Sequence, residues 1–110
     1  MKYGRIDSQA FLSTAEEVAK GLRPVGKNDD INDPSYYSTS CDLRIEELYK
    51  LLKLTMKREP KAFIAKGVTE PLCGPAQLTK EREYRDTTHV DWWIYKDATP
   101  EIFFEEVKCE

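Results

Sequence analysis

A thiol, an imidazole and a carboxylate occur at Cys73, His89 and Asp91. They are the groups of a cysteine nucleophile, its base and the acid that orients the base. That chemistry needs the imidazole within hydrogen-bond reach of the thiol. His89 and Asp91 lie two apart in a stretch with strand character, so they share a face with side chains roughly 7 Å apart. The spacing is awkward for a catalytic relay. A surface histidine beside an aspartate is the simpler reading, with Cys41, Cys73 and Cys109 as small core fillers. A small cysteine-dependent enzyme is therefore the second alternative for function.

Other chemistries fare worse. The run Asp29, Asp30, Asn32, Asp33 suggests a cation loop, but counting from Asp30 the sixth residue is Ser35 and the twelfth Cys41, where calcium loops need glycine and glutamate. One histidine and no CxxC pair leave a structural zinc site short of ligands. No glycine-rich phosphate loop is present. The expectation is no metal, no cofactor and no catalysis. Lys50, Lys53 and Lys57 form one helical sector, continued by Arg58, which would serve a nucleic-acid accessory protein as a phosphate-binding ridge. A solvated lysine face is the plainer interpretation.

The aromatic residues carry the best functional signal. Val90, Trp92 and Ile94 alternate with Asp91, Trp93 and Tyr95. If the first set faces the core, the second faces away from it. Tryptophan and tyrosine dominate protein-binding hot spots, and Tyr36 and Tyr37 on the preceding loop are available to join them. The competing arrangement covers both sheet faces, by helices on one side and the 24–40 loop on the other.

These residues need elements to position them. Ser13 and Glu16 have capping-box spacing, which predicts a helix over about 13–23, ended by Pro24, with Phe11 and Leu12 as a hydrophobic staple. The segment FLSTAEEVAKGL is similar to the first helix of excisionase-like helix-turn-helix proteins. That family places a basic recognition helix next, whereas here Pro24 and an acidic loop follow. Residues 24–40 read as a long polar loop. A central helix is predicted over about 41–58, with Cys41, Ile45, Leu48, Tyr49, Leu52 and Met56 on one side. Leu43, Leu51 and Leu54 form a second apolar stripe, so this helix is either central in its domain or shared with a second copy in a homodimer. Helical turns over 60–67 and a polar helix over 75–85 come next. The period then switches to that of a strand, predicting a C-terminal antiparallel hairpin of about 88–96 and 101–108, with a short helix begun by Thr99 and Pro100 as the rival to its second arm.

The whole is an α+β expectation: one domain over 1–110, with two main helices packed on the hairpin. A chain of 110 residues exposes roughly 6,300 Å² when folded. Its net charge of −3 hides segregation. Residues 41–85 carry 10 basic and 7 acidic groups, a net of +3, and residues 86–110 carry 2 and 7, a net of −5. Met1–Ala10 holds no apolar run suited to a signal peptide, and no stretch suits a membrane span, so a cytoplasmic protein with reduced thiols is expected. The favoured function is a small acidic non-enzymatic protein-binding protein, such as an inhibitor, antitoxin-like or immunity-like protein or adaptor. It would occlude another protein through Trp93, Tyr95, Asp91, Tyr36 and Tyr37.

Overall fold

The computed structural model describes residues 2, 4–27, 29–83 and 86–107. Cys109, one of the three thiols, lies outside the described residues. Among the described residues the architecture is α+β, with three α-helices and two small antiparallel sheets. The helices are α1 (Thr14–Ala19), α2 (Ile45–Thr55) and α3 (Thr79–Glu83). The strands are β1 (Thr39–Asp42), β2 (Ala65–Gly67), β3 (Ala76–Leu78), β4 (His89–Trp92) and β5 (Phe104–Glu106). Among the described residues no helix is long and apolar enough to cross a membrane.

The predicted hairpin does not form. Strand β4 is the centre of a three-stranded sheet ordered β1-β4-β3, while β5 pairs with β2. Its neighbours come from both sides: Cys41 lies opposite Val90 on one, and Gln77 opposite Asp91 on the other. The ladder continues past β4, with the Trp93 amide donating to Pro75 O and the Tyr95 amide to Cys73 O. The second arm is both things the sequence offered, a 3₁₀ turn at Pro100–Phe103 and then β5.

The helices are shorter than expected. α1 has the full capping box: the Ser13 hydroxyl accepts from the Glu16 amide and Glu16 Oε1 accepts from the Ser13 amide, both at 3.1 Å. It ends at Lys20, before Gly21 with φ of 72°. Phe11 enters the core, packing against Trp92 and Phe104. The predicted 41–58 helix splits, because Thr39–Asp42 pairs with β4 and Asp42 Oδ1 accepts from the Arg44 amide, turning the chain before α2 begins. Residues 60–67 supply β2 rather than helical turns, and 75–85 divide between β3 and α3.

The core sits on one face of the β4 sheet. Trp92 is fully buried, with its ring 6.2 Å from Phe11 and 5.9 Å from Phe104, and Cys73 packs in the same cluster. Trp92 Nε1 donates to Gly74 O at 3.0 Å, so the indole's one polar group is satisfied. Gly74 itself is required by close packing: a Cβ there would sit 1.9 Å from Trp93 O, and its φ is 146°. Helix α2 stands apart from this core. None of its residues is buried, and an open groove of about 1000 Å³ lies between its Leu48–Leu52 side and strands β1 and β2.

Candidate binding surface

Opposite the core, β4 presents His89 and Asp91. A carboxylate in the middle strand of a sheet needs partners once water is excluded, and Asp91 is fully buried. Three groups converge on it. The Ser38 hydroxyl donates to Oδ1 at 2.6 Å and the Thr79 hydroxyl to Oδ2 at 2.8 Å. The Arg82 guanidinium pairs with Oδ2 through NH2. Burial alone would raise the Asp91 pKa. The Ser38 and Thr79 hydrogen bonds and the charges of His89 and Arg82 outweigh it and hold the carboxyl below its ordinary value.

The proton arrangement follows. An ionised carboxylate only accepts, so the single Thr79 hydroxyl proton goes to Asp91. His89 Nδ1 lies 2.6 Å from the same oxygen and 4.0 Å from Asp91 Oδ1. It must therefore be the protonated ring nitrogen, donating to Thr79.

Arg82 does more than neutralise Asp91. Its NH1 lies 3.3 Å from Asp33 Oδ1 and its NH2 donates to Ser35 Oγ at 2.7 Å. The guanidinium carbon stands 5.7 Å from the centre of the Trp93 ring. Trp93 Nε1 in turn donates to Pro34 O at 3.0 Å. The turn Pro34–Tyr37 is shaped locally by Asp33, whose carboxylate accepts from the Ser35 amide at 2.9 Å. One arginine thus fastens a surface turn to the central strand.

Of the aromatic residues singled out in the sequence, Tyr36, Tyr37 and Trp93 lie at this fastening. Tyr36 and Tyr37 sit edge to face with ring centres 5.2 Å apart, and the Tyr37 hydroxyl donates to Ile31 O at 2.9 Å. Tyr37 is 51% exposed and Tyr95 60%. Trp93 is half-buried beneath the turn. Asp91 departs from its expected outward role: it faces away from the apolar core but is covered by α3 and the 33–38 turn, so it cannot touch a partner. At Asp91 both faces are covered, but not by helices on one side and the loop on the other: α3 and the 33–38 turn share the Asp91 face, while Phe11 and Phe104 cover the Trp92 face. Arg82, Thr79, Ser38 and Ser35 were not legible as site residues. The available signal was a charge between Val90 and Trp92, two residues that head for the core.

The cysteine triad is not assembled. Cys73 packs with Trp92 on the apolar face of the sheet, while His89 and Asp91 project from the other. Cys41, beside β4, has its thiol pushed up to about 12 by burial, with the charges of Asp91 and Asp42 adding to the effect. The lysine ridge is exposed on α2, where Lys50 pairs with Glu47 at 3.3 Å and Lys53, Lys57 and Arg58 face solvent. No protein-family model, curated protein or solved structure matches this chain.

Proposed function

We propose that this is a non-enzymatic protein-binding protein that occludes another protein through Tyr36, Tyr37, Trp93 and Tyr95. The observation that carries this reading is the Arg82 clasp. It joins Asp33 and Ser35 to Asp91 and lies against Trp93, fixing the tyrosine-bearing turn before any partner arrives. A preorganised aromatic patch loses little side-chain entropy on binding, which favours affinity. Asp91 acts here as a positioning residue. Tyr37 and Tyr95, the most exposed of the four, supply the contact, and Trp93 supplies its rim.

The test is affinity capture from the native host with two baits, the wild-type protein and a Tyr37→Ala/Tyr95→Ala variant of equal thermal stability. At least one protein should be enriched by the first bait and lost from the second. Identical captured sets from both baits would refute the assignment of this surface.

A further inference from the structure

Helix α2 carries a stripe that is complementary to itself. Glu47, Leu51, Leu54 and Arg58 are spaced by 4, 3 and 4 residues, which places them within about 60° of one another around the helix. Arg58 lies in the turn that follows α2, its amide donating to Thr55 O at 3.0 Å and the Glu59 amide to the same oxygen at 2.9 Å. The two leucines are 58% and 62% exposed, and Arg58 is exposed beside them. Leu48 and Leu52, on the adjoining sector of α2, border the groove over β1 and β2, whose edge Leu51 shares.

We infer that α2 forms a twofold antiparallel contact with α2 of a second copy of this chain. The stripe is acidic at one end, basic at the other and apolar between. Its midpoint lies between Leu52 and Lys53, so a twofold axis there sets Glu47 against Arg58 of the second copy and Leu51 against its Leu54. Both pairings then occur twice, as an isologous interface demands. A parallel arrangement would instead put like charges together at each end. The present partner of Glu47 is Lys50, an exposed pair of a kind that contributes little and yields readily to Arg58.

This inference is independent of the aromatic surface, which lies on other elements.

Sedimentation velocity on the full chain tests it. The wild-type protein should be dimeric at micromolar concentrations and Leu54→Glu monomeric, with unchanged circular dichroism. Glu47→Arg and Arg58→Glu should each raise the dimer dissociation constant about tenfold or more, because like charges then meet at both ends. The double variant E47R/R58E should dimerise as the wild type does, and mixing the two single variants should yield a heterodimer. Should Leu54→Glu fail to fold, the charge variants decide. A monomeric wild-type protein overturns the inference. So does a dimer that survives both single charge reversals, or a double variant that fails to recover.

Discussion

Arg82 and Asp91 form a part-buried ion pair in which one side chain is fully enclosed and the other reaches the surface turn. The carboxylate belongs to the central strand and the guanidinium to a short helix nine residues earlier. Their pairing ties β4, α3 and the Pro34–Tyr37 turn into one unit.

Removing one partner strands the other. Asp91→Ala is expected to cost about 3–5 kcal/mol, because Arg82 loses its buried counterion while Ser38 and Thr79 lose their acceptor. Arg82→Met should cost less, since the guanidinium is partly hydrated already and the carboxylate keeps two hydroxyl donors. Urea unfolding of both variants and of the double variant gives the coupling. Additive losses would show that the pair does not act as a unit.

The same carboxylate sets an acid limit on stability. Its folded-state pKa is depressed, so its contribution is fully present above the unfolded-state value and is lost as pH falls through the folded one. The stability difference between wild type and Asp91→Asn should therefore be constant from neutral pH down to about 5 and shrink below about 4. Chemical denaturation across that range checks it. A difference that grew on acidification would contradict the assigned ionisation.

Adjacent tryptophans should respond in opposite ways. Trp92→Ala empties the core between Phe11 and Phe104 and should cost about 3–5 kcal/mol. Trp93→Ala loses the bond to Pro34 and the contact with Arg82, an expected cost of about 1 kcal/mol. Thermal midpoints measured together separate the two; equal losses would mean that Trp93 is as enclosed as Trp92.

Gly74→Ala should destabilise by about 3 kcal/mol, because the added methyl meets a backbone oxygen, Trp93 O, that cannot swing aside. Circular dichroism melting reads this directly. A midpoint within a degree of wild type would show that the 73–75 segment pairs differently.

Local signals were legible in the sequence where a few neighbouring residues decide the outcome. The Ser13–Glu16 capping box, the inward turn of Trp92 and the Thr99-Pro100 start of a short helical turn are of this kind. Strand pairing was not. Strands β2, β3 and β5 have three residues each, too few to show a period, and their partners are distant in the chain. Cys41 shows the opposite failure: it falls on the helical stripe of Ile45 and Leu48 yet pairs with Val90 in a strand. The covering of Asp91 depends on Ser38, 53 residues away, and on an arginine in a five-residue helix. No pattern of hydrophobicity could reveal either.

The proposed binding role rests on two exposed tyrosines, Tyr37 and Tyr95. Its most direct test is titration calorimetry of the captured partner against wild type, Tyr37→Ala and Tyr95→Ala. At least one tyrosine should behave as a hot spot worth about 2 kcal/mol, roughly a thirtyfold loss of affinity, with thermal midpoints unchanged. Wild-type affinity in both variants would contradict the account.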